Sequence, residues 1–275
     1  MYGMHGRNPK ACEVCKKPSC LHPQVCPNLV NDHSALLDIY HAVDALPEVK
    51  KSFIGSGVRY DLLLHKSKDE KCNEAARQYT RELITKHVSG RLKVAPEHTS
   101  DSVLYLMRKP SFKLFYEFKR IFDQINKEEG LRQQLIPYFI SSHPGCTERD
   151  MAQLADLTKR MGYKLEQVQD FTPTPMTVAT ETWYTGYDPY TLEPVFSAKT
   201  QKEKLAQRQY FFWYKDEGGQ SAPPSRKSRD NKGRGTRNET HDTKGRKENR
   251  HQGNQSKKKQ KSYNPNFNDA GKRRR

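Results

Sequence analysis

The stretch Leu135-Ile136-Pro137-Tyr138-Phe139-Ile140-Ser141-Ser142-His143-Pro144-Gly145-Cys146-Thr147-Glu148-Arg149-Asp150-Met151 decides the fold class. Its first half, with Gln134, is a short apolar run bounded by turn residues, which predicts a buried strand. His143-Pro144-Gly145 stops it. Thr147, with Asp150 three residues on, resembles a capping box ahead of a helix carrying Met151, Leu154, Ala155, Leu157 and Met161. A strand running through a polar turn into a helix is one unit of a parallel α/β fold.

Neighbouring units extend the pattern in both directions. Upstream, Leu92-Lys93-Val94-Ala95 predicts a strand ended by Pro96, followed by helices near 100–107 and 112–128. Before it come a helix over roughly 70–88 and a short apolar run at Phe53-Ile54 that ends in Gly55-Ser56-Gly57. Further back, Asp32 or Ser34 caps a helix with apolar positions Leu36, Leu37, Tyr40, Val43 and Leu46. Downstream, Gln167 to Phe171 predicts a last strand ended by Thr172-Pro173. The order is βαβαβαβ after a helix, implying a parallel sheet with right-handed crossovers. Four strands do not close a barrel. Either the sheet is open or strands are missing from the front.

Charge divides the chain. From Gly218 onward there are 18 Lys/Arg against 5 Asp/Glu; the remainder carries 31 against 27. The strong basicity therefore belongs to the tail. Residues 216–275 hold almost no large apolar side chains beyond Tyr263 and Phe267, too few to offset chain entropy, so disorder is expected there. Interleaved Lys and Arg bind phosphate backbones by counterion release with little sequence preference, which makes RNA the expected nonspecific partner of the tail. A solubilising tail without a specific partner is the plainer alternative. No run approaches the about 20 apolar residues of a membrane span, and the N-terminus has no secretory h-region. The expected compartment is the cytoplasm, where thiols stay reduced.

That compartment bears on Cys12, Cys15, Cys20 and Cys26, four thiols within fifteen residues of an otherwise aperiodic segment, 1–31. Close spacing on a loop lets several sulfurs meet one metal, so these four are the candidate ligands of a zinc ion or an accessory iron–sulfur cluster. Spacing does not separate the two. His22 and His33 are candidate substitutes, although a histidine near such a run is more often incidental. Cys72 and Cys146 stand alone and read as structural.

Four stretches carry a family resemblance: SGVRYD (56–61), LKVAPEHTSDSVLYLMRKP (92–110), LIPYFISSHPGCTERDM (135–151) and QVQDFTPTPMTVAT (167–180). In order they resemble the last four strand-to-loop units of the radical SAM partial barrel. With the cysteine run CEVCKKPSCLHPQVCPNL (12–29) they are similar to the YgiQ group, over about residues 1–190. The resemblance implies a partial (β/α) barrel lacking its first strands (32–180), a helical extension (181–215), and S-adenosylmethionine with a [4Fe–4S] cluster as cofactors. It places Ser56, Arg59, Glu97 and Phe171 where the family contacts S-adenosylmethionine. The family's cluster motif, C-x3-C-x2-C, does not occur here. The resemblance therefore implies that the chain starts after the family's second strand, that it is inactive alone, and that its partner is a separately encoded N-terminal segment. The competing expectation is a metal-stabilised protein that binds RNA through its tail.

Overall fold

The computed structural model describes residues 3–216. The expected disordered tail, 216–275, falls outside them apart from Asp216. The chain is mixed α/β, with a two-stranded antiparallel ladder near its start and a three-stranded parallel sheet. The ladder, β1 (His5–Gly6) with β2 (Leu29–Val30), ties the ends of the cysteine segment together. That segment also contains one helical turn, α1 (Pro9–Glu13), capped by Asn8. It is thus more ordered than an aperiodic composition suggests.

α2 (Ser34–Asp44) and α4 (Glu70–Lys86) pack on each other through Leu37, Tyr79 and Leu83, with the short α3 (Tyr60–Leu63) between them in sequence. Then come β3 (Arg91–Glu97), α5 (Asp101–Leu106), α6 (Lys113–Glu128), β4 (Gln134–Ser141), α7 (Glu148–Arg160) and β5 (Gln167–Asp170). The sheet order is β3-β4-β5, all parallel. The capping box of Thr147 and Asp150 is fully formed.

Two expectations need correction. The run at Phe53-Ile54 is no strand: only Val58 bridges Val94, in parallel, on the outer side of β3. Two apolar residues followed by a glycine pair offer too little side-chain surface to hold a ladder, and Phe53 is left exposed. Nor does Pro96 end its strand. The register slips between Val94 and Glu97, so the missing proline N–H falls where the ladder is already broken. Among the described residues there is no closed barrel; the expected partial barrel amounts to three strands and one bridge.

Burial alternates along the strands. Leu92 and Val94 of β3 and Leu135 and Phe139 of β4 join Phe115, Phe118 and Phe122 of α6 and Met151 and Leu154 of α7 in one core. The three phenylalanines recur at helical spacing, a stripe in which each fully buried ring contributes about 2–3 kcal/mol. The opposite face is different. Lys93 and Gln169 are exposed there, and Ile136, Tyr138 and Ile140 are only half-buried. None of these five joins the core.

The extension beyond β5 holds α8 (Val178–Thr185), α9 (Gln201–Gln209), a 3-10 turn (Tyr210–Phe212) and α10 (Trp213–Asp216). It returns to the main core, where Phe211 is fully buried. No helix among the described residues is long and apolar enough to cross a membrane.

Candidate functional site

In parallel sheets, loops at the C-terminal strand ends gather the polar groups that act on ligands. Here that edge is unusual in its backbone. Glu97, ending β3, has φ +67°, and Ser142, just past β4, has φ +61°. Both are left-handed, a conformation costly for residues with a Cβ and concentrated at functional sites. Two neighbouring strand ends therefore carry the same strain.

Behind these residues lies a buried polar layer. The Ser142 N–H donates to Gln207 Oε1 at 2.8 Å, and Gln207 Nε2 donates to the Cys146 carbonyl at 2.7 Å. One side chain of α9 thus clamps both sides of the turn after β4. The Ser142 hydroxyl is buried without a hydrogen-bond partner among the described residues. Ser141 Oγ donates to Asp170 Oδ1 at 2.6 Å, and Arg208 holds the other oxygen of that carboxylate at 2.9 Å. Gly145, at φ +83°, leaves room for Leu106: a Cβ there would stand 2.2 Å from Leu106 Cδ1.

His98 and Cys146 meet in this layer, His98 Nε2 lying 3.5 Å from Cys146 Sγ, with both residues fully buried. The Ser100 N–H donates to His98 Nδ1 at 3.0 Å. Nδ1 is then the acceptor nitrogen, which leaves the proton on Nε2, facing the sulfur. Burial lowers the His98 pKa to about 4 and raises that of Cys146 to about 12. A neutral imidazole that donates to a neutral thiol is a structural latch. It is the reverse of a thiolate–imidazolium nucleophile. His143, also lowered to about 4 by burial, donates its Nδ1–H to the Pro144 carbonyl, 2.9 Å away, and packs edge-on against Phe171.

The four residues expected to contact S-adenosylmethionine are spread along this edge and not joined. Arg59 is bound by Asp61, Glu97 by Lys109 at 3.0 Å, and Phe171 by the His143 ring. Exposed Ser56 shares with Arg59 a cleft of about 280 Å³ that neither Glu97 nor Phe171 lines. His98, Ser142, Gln207 and Arg208 were not singled out by sequence. Ser142 and His98 adjoin quoted strand ends, which is a usable signal. Gln207 gives none, since a glutamine on a polar helix has nothing to mark it.

The cysteine run is arranged in two backbone-bonded pairs. The Cys15 N–H donates to the Cys12 carbonyl at 3.2 Å, and the Cys26 N–H to the Cys20 carbonyl at 2.8 Å. Asn28 Nδ2 donates to Cys12 Sγ at 3.1 Å. The donor chemistry suits zinc or iron. The thiols are not, however, gathered into a metal-holding group among the described residues.

The chain is similar to proteins named UPF0313. It is 73% identical over 217 residues to the UPF0313 protein of Bacteroides thetaiotaomicron, a match covering 79% of this chain and 35% of that protein. The counterpart in Porphyromonas gingivalis is 64% identical over 79% of this chain and 34% of its own length, and that of Methanocella arvoryzae 48% over 71% and 31%. The chain thus spans about a third of the length of these curated relatives. No family model matches it.

Proposed function

From a chain that is a UPF0313 relative over about four-fifths of its length, we propose a wall of a YgiQ-type radical SAM barrel, whose strand ends contribute to binding S-adenosylmethionine. The observation that carries this is the one-sided sheet. Three parallel strands are packed with helices on one face, and their other face bears half-buried Ile136, Tyr138 and Ile140 outside the core. A barrel interior is lined by such a face, and a barrel's ligands sit at the C-terminal strand ends. Glu97, held left-handed at that edge, would present a carboxylate to the ligand's ribose or amino group.

The catalytic [4Fe–4S] cluster does not fit this chain's own cysteines, whose x2, x4 and x5 spacing departs from C-x3-C-x2-C. A segment bearing C-x3-C-x2-C would supply both the cluster ligands and the strands that cover the open face. Cys12, Cys15, Cys20 and Cys26 would hold a second metal group, zinc cross-linking the segment or iron–sulfur passing electrons.

Two experiments test the proposal. The chain is mixed anaerobically with a C-x3-C-x2-C segment from a full-length relative, reduced, and assayed for methionine release from S-adenosylmethionine. Release is expected from the mixture and not from the chain alone; a silent mixture whose partners bind each other would refute the barrel-wall assignment. For the cysteine run, metal analysis after reconstitution should give one zinc or one cluster per chain, lost in a Cys12→Ser, Cys15→Ser variant. Equal metal content in the variant would remove the site.

A further inference from the structure

The cysteine segment and the C-terminal extension enclose a cleft of about 460 Å³, within the usual size of small-molecule sites. Lys17 and His22 line one wall; Tyr105 and Arg108 from the end of α5, with Asp188 and Tyr190 of the extension, line the others. The cleft uses none of Ser56, Arg59, Glu97 or Phe171, so it is independent of the strand-end proposal.

Its lining combines flat rings with uncompensated positive charge. Tyr105 and Tyr190 are each 56% exposed. His22 packs edge-on against Tyr105 at 4.9 Å, and the Arg108 guanidinium lies 4.5 Å from the centre of the Tyr190 ring. Lys109, the next residue, is bound by Glu97, whereas Arg108 makes no ion pair among the described residues. Its backbone is left-handed, with φ +55°. The one lining carboxylate, Asp188, is engaged by its own loop: Oδ1 accepts the N–H groups of Tyr190 at 2.7 Å and Thr191 at 3.3 Å. Two cations therefore face the cleft against one carboxylate that is partly satisfied.

A guanidinium fork matches a phosphate, and exposed tyrosine rings stack on the face of any base. We propose that this cleft binds a nucleotide, its base stacked on Tyr190 and its phosphate held by Arg108 and Lys17. The nucleotide could arrive free or as part of a single strand; the chemistry of recognition is the same.

The test uses the full chain in about 150 mM salt, where tail binding by counterion release is weakened. The probes are uridine monophosphate and a four-residue oligouridylate, chosen because neither carries the adenine that an S-adenosylmethionine site would accept. Saturable binding is expected, weakened at least tenfold by Arg108→Gln and by Tyr190→Ala but little changed by Tyr190→Phe, which keeps the ring. Thermal melts identify any variant that fails to fold. Binding of the oligonucleotide alone with this pattern assigns the site to a strand; binding of both assigns it to the nucleotide unit. The proposal is overturned if neither probe binds, if affinity is indifferent to Arg108→Gln, or if inorganic phosphate competes as well as uridine monophosphate.

Discussion

Acidification should destabilise this protein between pH 7 and 5, and His98 and His143 should account for most of the loss. Both are buried and held to pKa values of about 4, mainly by desolvation. Protonating His98 Nδ1 would in addition cost the hydrogen bond from Ser100. In the unfolded chain each would titrate near about 6.5. Their folded pKa values lie below the unfolded ones, so as pH falls through about 6.5 the unfolded state takes up protons that the folded state refuses. Stability is then lost at about 1.4 kcal/mol per pH unit for each histidine, or about 2 kcal/mol each at pH 5 and about 4 for the pair. Carboxylates contribute little in this window, because their unfolded values lie near about 4. Urea unfolding at pH 7, 6 and 5, followed by circular dichroism, measures the slope. His98→Gln with His143→Gln should flatten most of it, whatever the variant's stability at pH 7. Stability that is flat from pH 7 to 5, or a double variant with the full slope, would refute the assignment of two buried neutral imidazoles.

Two further outcomes concern the clamp at the end of β4. Gln207→Leu strands the Ser142 N–H and the Cys146 carbonyl in the interior, and the urea midpoint should report a loss of about 2–4 kcal/mol for two unsatisfied backbone groups. A change within about 0.5 kcal/mol would mean that other groups reach them. Gly145→Ala combines a left-handed backbone with overlap on Leu106, and calorimetry should show destabilisation of about 2–4 kcal/mol. Adding Leu106→Ala should restore part of it.

Much of this fold was legible in the sequence. The strands at 134–140 and 167–171, the helices at 70–88 and 112–128, and the Thr147 capping box rest on local patterns, and local patterns survive folding. Phe53-Ile54 misled because a strand exists only with a partner, and no run of two residues reveals whether it has one. Pro96 misled for the same reason: its cost depends on where the neighbouring ladder slips. The site was less legible still. Glu97 and Phe171 could be placed at strand ends, but Gln207 reaches the β4 turn from 65 residues further on, and nothing local encodes such a contact. The cysteines were visible as a set, while the two hydrogen-bonded pairs they form were not.

The left-handed Glu97 and Ser142 also bear on how this protein would respond to selection. Each such residue costs about 1–2 kcal/mol that a glycine would not. A screen that rewards heat resistance alone should therefore converge on glycine at these two positions, and its winners would have discarded the Glu97 carboxylate and the buried Ser142 hydroxyl. If Glu97 serves the proposed ligand, stability and recognition compete for its backbone torsion.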